Sequence, residues 1–263
     1  MRRIAIISDI HSNMAALNAV LADIREQKVQ AIYCLGDVVG YGPEPVEAMR
    51  TIISVCEGGR MIAGNHDHAV IHEPIGFNAE ARNAALWTNQ VIRSGFLGFL
   101  SGKRQRWNWL RDLPTSFSEE DVLFVHASPR QHLEEYILEE HTHGRSFMGE
   151  DPRQLLEENF ALVQHTCFIG HTHRPGVITG EDFVWRSLPT LDYHWTIDAR
   201  KTIVNVGSVG QPRDGDPRAC YVVFDGKEVV WRRVVYDVEL TRRLIIENPM
   251  LGNHLGDRLL VGR

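Results

Sequence analysis

Five short segments end an apolar run with side chains of the kind that bind metals. They are Ser8-Asp9-Ile10-His11, Gly36-Asp37, Gly64-Asn65-His66-Asp67, Val125-His126 and Gly170-His171-Thr172-His173. Together they offer three oxygen donors (Asp9, Asp37, Asn65) and four imidazoles (His11, His126, His171, His173). That is more than one tetrahedral site takes. It fits two ions sharing a bridging carboxylate. Mixed imidazole and carboxylate donors suit Mn, Fe, Zn, Co or Ni, whereas Ca wants oxygen throughout. Two divalent ions outweigh two carboxylates, and the remaining positive charge would attract a phosphate and an activated hydroxide.

A single histidine beside an apolar run is usually a core or surface residue. His72, His132, His165, His194 and His254 read that way. His141 and His143 share i, i+2 spacing, but they lie in an acidic, glycine-containing stretch with no strand before them and read as a solvated loop. Five strand-end segments together are much harder to ascribe to chance.

The elements that must position these residues alternate. Ile4–Ser8 and Ala31–Leu35 are short apolar runs without polar alternation, which suits strands buried on both faces. Met14–Gln27 carries apolar residues at helical spacing behind Asn13, a candidate N-cap. Pro43–Val55 predicts a helix with proline in its first turn, and Met61–Ala63 a third short strand. Phe77–Leu113 reads as mostly helical, with Leu86, Trp87 and Ile92 on buried faces. Val122–Val125 and Thr166–Ile169 are strands around a helix that opens at Asp151-Pro152. Strand then follows strand: Val177–Ile178, Val184–Trp185, Thr202–Val206, Cys220–Phe224 and Val229–Val235, with Asp225-Gly226 as a hairpin turn before a last helix, Val238–Glu247. The fold class is α/β. In open α/β sheets, sites lie beyond the carboxyl ends of the strands, where loops converge. In extended backbone, residues i and i+2 point to one side, so Asp9 with His11, and His171 with His173, can aim inward together.

Composition narrows the partners. The 263 residues hold 28 Lys and Arg against 34 Asp and Glu, a net charge of −6, with 43% hydrophobic residues. These are ordinary globular proportions and predict one domain over residues 1–263. The acidic balance argues against coating nucleic acid or an anionic membrane. No stretch approaches the ~18 apolar residues of a membrane span. Cys34, Cys56, Cys167 and Cys220 form no CxxC and read as reduced thiols in a cytoplasmic protein. The stripe Trp107, Trp109 and Leu110 reads as core, with an exposed patch or a substrate wall as alternatives.

The ordered set D-x-H, GD, GNHD, H and GHTH resembles the calcineurin-like metallophosphoesterase superfamily. Its first and last motifs span most of the chain. The segments CLGDVVGYGPEP at Cys34–Pro45, HASPR at His126–Arg130 and NVGSVGQPRDGDPR at Asn205–Arg218 look like the bacterial and archaeal phosphodiesterase-like branch. The resemblance implies a four-layer α-β-β-α sandwich, two mixed β-sheets flanked by helices. It implies that Asp9, His11 and His173 hold one metal, that Asp37 bridges, and that Asn65, His126 and His171 hold the second, with Mn or Fe first among the candidates. His66 is then an unligated histidine that contacts the phosphoryl or leaving-group oxygen. The activity implied is hydrolysis of a small phosphodiester or phosphomonoester by a metal-bridging hydroxide.

Two departures stand out. In the protein-phosphatase branch an acidic residue soon after GD orients the catalytic histidine; here Val38-Val39-Gly40-Tyr41-Gly42 follows. Ser12 replaces the glycine that many relatives carry after D-x-H, which is tolerated unless the backbone needs a positive φ. A dinucleoside polyphosphate is the alternative substrate. Its extra phosphates need cations, for which Arg213, Arg218 and Arg130 are candidates. Against this, Arg213 and Arg218 can equally pair with Asp214 and Asp216 in a structural turn. A scaffold that kept the fold without activity is the non-enzyme alternative; it would be favoured by a lost ligand or a lost His66, and neither is lost.

Overall fold

The computed structural model describes residues 2–56, 60–74, 76–93 and 102–263. In chain order the elements are β1 (Ile4–Ile7), α1 (Met14–Glu26), β2 (Ala31–Cys34), α2 (Pro45–Val55), α3 (Asn65–Ile71), α4 (Ala79–Ile92), α5 (Lys103–Arg111), β3 (Ser116–Glu119) and β4 (Val122–Val125). There follow α6 (Glu139–Thr142), α7 (Pro152–Leu162), β5 (Thr166–Ile169), β6 (Gly176–Thr179), β7 (Trp185–Ser187), α8 (Leu188–Leu191), β8 (His194–Thr196) and β9 (Thr202–Asn205). The hairpin β10 (Ala219–Phe224) and β11 (Glu228–Val234) precedes α9 (Val238–Ile246), α10 (Asn253–Asp257) and a 3-10 turn at Arg258–Val261.

Two mixed sheets result. One has the order β2-β1-β10-β11-β8 and the other β3-β4-β5-β9-β6-β7. β1 and β2 are parallel, as are β4, β5 and β9. Side-chain alternation along each strand builds the layers. Ile4, Ile6, Phe124, Phe168, Val204, Val222 and Phe224 fill the space between the sheets. Their neighbours point outward. Ala5, Ile7, Tyr221 and Val223 meet Leu17, Val20 and Ile24 of α1, while Val125, Cys167, Ile169 and Ile203 meet Leu155, Leu156 and Phe160 of α7. This is why the strand sequences lack polar alternation: both faces are buried. The architecture is the α-β-β-α sandwich.

Local signals act as read. Asn13 accepts the N–H of Ala16 and Asp151 that of Gln154 as N-caps. Differences are local too. Helix α2 begins at its second proline, Pro45, not at Pro43. Met61–Ala63 is not a strand: it makes a single bridge, Met61 to Cys34, before the chain turns into α3. Leu86 is 41% exposed because α4 turns Ala81, Ala84, Ala85, Thr88 and Ile92 inward and Leu86 falls on the other face. Part of the helical stretch expected over Phe77–Leu113, residues 94–101, lies outside the described residues. Trp107 and Trp109 pack against the core that contains buried Leu110, so that stripe is core. His141 is buried in α6, with Glu150 2.8 Å from its Nε2, and not in a solvated loop.

Candidate metal centre

All five segments leave the carboxyl ends of their strands, or the Met61 bridge, toward one point. The loops are pinned across the sheets. His11 N donates to Asp37 O at 2.9 Å, Gly170 N to His126 O at 2.8 Å and His171 N to Asp9 Oδ2 at 3.1 Å. The pairing of Asp9 with His11, and of His171 with His173, does not come from extended backbone. All four residues are left-handed, with φ of 54°, 47°, 61° and 59°, and Asp37 is so at 51°. Such conformations are sparsely populated for side chains other than glycine and cost on the order of 1–3 kcal/mol each. Sharp turns at the strand ends, not pleating, aim these side chains. Ser12 is likewise left-handed, at 54°, so the serine there carries that strain.

Asp9, His11, Asp37 and His173 form one buried cluster whose donor atoms lie within 4.8 Å of one another. His11 Nε2 is 3.1 Å from His173 Nε2, and His173 Nε2 is 3.2 Å from Asp9 Oδ1. A second group adjoins it. Asn65 Oδ1 is 3.1 Å from His126 Nε2 and 3.2 Å from His171 Nδ1. Asp37 Oδ2 joins the two, 3.6 Å from His11 Nε2 and 3.5 Å from His126 Nε2. Gly64 permits this: a Cβ there would fall 2.1 Å from Asp37 Oδ1.

The other ring nitrogens decide the tautomers. His11 Nδ1 faces Val39 O, His126 Nδ1 faces Leu35 O, His173 Nδ1 faces Gln211 O and His171 Nε2 faces Glu134 O. A carbonyl only accepts, so each of these nitrogens donates. In neutral rings the opposite nitrogens then turn lone pairs inward. Lone pairs of His11 and His173 at 3.1 Å cannot satisfy each other, and Asp9 Oδ1 is buried with no hydrogen-bond partner. A cation among them satisfies all three, and ring N–H groups held by carbonyls are the usual support of metal-binding imidazoles.

Electrostatics agree. Burial keeps His11 neutral, well below the usual histidine range, and lowers His171 to about 3; burial and Arg213 also lower His173. Burial would raise Asp9 and Asp37, but the charge of protonated His126 works against it at both, and both carboxylates stay ionised. His126 is opposite in sign. Burial disfavours its proton, yet Asp37 and Asp9 push it up to about 9, because a proton there supplies positive charge to the carboxylates.

His66 lies against the cluster without joining it. Its ring contacts Tyr41, Phe77 and His11 at centroid distances of 4.3, 4.7 and 4.9 Å. Its backbone N–H donates to Asp37 Oδ1 at 2.8 Å. Its Nδ1 is buried without a partner among the described residues. Asp67 is turned away: its carboxylate accepts the N–H groups of Val38, Val39 and Gly64 and ties the Asp37 loop to α3. Burial lowers the His66 pKa to about 4.

A cleft of about 270 Å³ opens over Asp37, Asn65, His66, His171 and His173. Arg213 lines it and lies over the Tyr41 ring at 5.7 Å. The other two cationic candidates are committed elsewhere: Arg218 pairs with Asp216 at 2.6 Å, and Arg130 with Glu135 and Glu158. The structural turn therefore claims Arg218 but not Arg213. Tyr41, Phe77 and Tyr136 also line the cleft, and sequence reading did not single them out. Tyr41, four residues past Asp37, could have been suspected; Tyr136, 4.2 Å from the His171 ring, carried no signal.

The family model of the calcineurin-like phosphoesterase superfamily domain matches residues 1–228. The chain belongs to this superfamily. The family typically binds divalent metals, and membership supports a hydrolase. This calcineurin-like phosphoesterase is 36% identical to an uncharacterised protein of Methanocaldococcus jannaschii, over 99% of this chain and 98% of that one. It superposes on the crystal structure of a metallophosphoesterase from Sphaerobacter thermophilus with a TM-score of 0.81 at 33% identity, covering 100% of this chain and 99% of the other. A symmetrical bis(5'-nucleosyl)-tetraphosphatase of Pectobacterium atrosepticum is 27% identical over 46% of this chain and 41% of its own length. Among the described residues no helix is long and apolar enough to cross a membrane.

Proposed function

We propose that residues 1–263 form one catalytic domain, a dinuclear metal-dependent phosphoesterase that hydrolyses a small phosphorylated substrate. The observation that carries this reading is Asp37 Oδ2 between His11 Nε2 and His126 Nε2, each from a different donor group. Asp9, His11 and His173 would hold one ion and Asn65, His126 and His171 the other, with Asp37 shared. Ions bound there, Mn or Fe first among the candidates, would supply an activated hydroxide and neutralise phosphoryl charge.

The remaining work falls to side chains. His66 faces the substrate from the rim of the donor cluster and stabilises charge on the phosphoryl or leaving oxygen. Arg213 holds a non-reacting anionic oxygen of the substrate. Tyr41 and Phe77 fix the His66 ring by packing on it. The four cysteines are free and buried, which fits a cytoplasmic protein.

The test is hydrolysis of bis-p-nitrophenyl phosphate and p-nitrophenyl phosphate by chelator-treated protein, before and after reloading with Mn. Turnover restored by metal supports the reading. Two bound ions with no turnover on any phosphoester would return the chain to a scaffold. A dinucleoside polyphosphate is the second reading; Arg213, without an acidic partner among the described residues, and the partial likeness to a tetraphosphatase favour it.

A further inference from the structure

A second and larger cavity, of about 830 Å³, lies next to the metal cleft, and Arg213 lines both. Five arginines face the larger cavity: Arg174, Arg213, Arg233, Arg258 and Arg263. Their partners separate them. Arg174 pairs with Glu140 at 3.3 Å. Arg233 is held by Asp214 and Asp216, and Asp216 also takes Arg218. Those acids are therefore neutralised within the wall. Among the described residues the guanidinium of Arg213 donates to the amide oxygen of Gln211, and the Nε of Arg258 to the main-chain oxygen of Arg263. Neither Arg213 nor Arg258 forms an ion pair with an acidic side chain among the described residues. Glu139, on the exposed rim, is the other acidic side chain of the lining.

Two guanidinium groups facing one partly buried space repel each other, and Arg213 is the charge that most disfavours ionisation of Arg258 after burial itself. An anion between them relieves that repulsion. A guanidinium fork matches the paired oxygens of a phosphoryl group. The cavity is larger than one phosphate needs and lies within the range of small-molecule sites, roughly 300–1,000 Å³.

We infer that the cavity beyond Arg213 is a binding site for a second phosphoryl group of the substrate, held by Arg213 and Arg258. The inference rests on the phosphoesterase reading and narrows it to substrates that carry a phosphate beyond the one hydrolysed. Trp185, Leu188 and Tyr193 give the same cavity an apolar wall for the organic part of such a molecule. Arg258 lies outside residues 1–228, the stretch that the family model matches.

The test is calorimetric titration of the metal-loaded full chain, in excess Mn, with inorganic triphosphate and with inorganic phosphate. Triphosphate should bind at least tenfold more tightly. Arg258→Gln should collapse that ratio to within about threefold, and Arg258→Lys should restore part of it. Arg213→Gln gives a second route to the same loss if Arg258→Gln does not fold. Equal affinity for the two anions in the native chain, or a ratio that survives both glutamine substitutions, overturns the inference. Turnover of bis-p-nitrophenyl phosphate on the same samples separates the two claims. Turnover without a triphosphate preference sinks only this one; a triphosphate preference without turnover sinks only the catalytic reading.

Discussion

Gly40 packs so closely on His66 that a Cβ at position 40 would stand 2.5 Å from the ring Nδ1. Its φ of +94° is also one that side chains rarely adopt. The glycine therefore makes room for the imidazole, whose Nδ1 meets no partner among the described residues. Gly40→Ala should displace the ring while leaving the seven donors in place. Metal content should stay within 20% or so of the native value and kcat should fall by ~100-fold, the lower end for losing a positioned acid–base group. Metal analysis and kcat on the same sample check it; native kcat in the variant would mean that the ring position does not matter.

The role of His66 can be read from leaving groups. Its Nδ1 has no partner among the described residues, and Asp67 is engaged with three backbone N–H groups. Burial outweighs the pull of Asp37 on its proton and keeps the ring neutral, which favours charge stabilisation over proton donation. His66→Ala should lower kcat and kcat/KM together, for p-nitrophenolate as well as for a poor alkoxide leaving group. A loss confined to the alkoxide would instead identify a general acid, because p-nitrophenolate leaves without a proton.

Asp37 is the carboxylate that lies between the two groups, and the proposed function makes it their shared donor. Asp37→Asn removes that charge and leaves an amide where two sites need an anion. The purified variant should retain no more than one ion per chain after Mn reloading and lose at least ~1,000-fold in kcat. Elemental analysis decides; two equivalents of tightly held metal would refute a bridging role.

Acid should loosen the mouth of the cleft. Burial works against ionisation of Glu150, but the N–H groups of Phe147 and Met148 and the His141 ring outweigh it and hold its pKa at about 2, below the ordinary 4.5. A depressed carboxyl pKa contributes order that is complete above the ordinary value and lost as pH falls through the folded one. The turn at 146–150 should therefore open between about pH 4.5 and pH 2. Glu150→Gln should reproduce the opening at neutral pH, read as faster amide exchange at Phe147 and Met148 after correction for intrinsic rates. Equal protection in variant and native chain would show that the carboxylate does not hold the turn.

The candidate donors were legible in the sequence because metal chemistry restricts residue type. Asp9, His11, Asp37, His126, His171 and His173 follow apolar runs that had to be strands buried on both faces, while the run before Asn65 is not a strand. The layered α/β architecture was legible for the same reason. Elements without an apolar run, such as β3 at Ser116–Glu119 and β8 at His194–Thr196, were not, since edge pairing and not composition makes them strands. Met61–Ala63 shows the converse: an apolar run that meets β2 at one residue only. The tertiary structure alone decided the aim of the side chains. Left-handed turns, not the i, i+2 alternation of a strand, bring Asp9 to His11 and His171 to His173. It also decided which arginines are free to meet a substrate. Arg130, Arg213 and Arg218 are equivalent cations in the sequence, but Arg130 and Arg218 face carboxylates while Arg213 faces the cleft. Such distinctions depend on contacts between segments far apart in the chain, and local spacing carries no record of them.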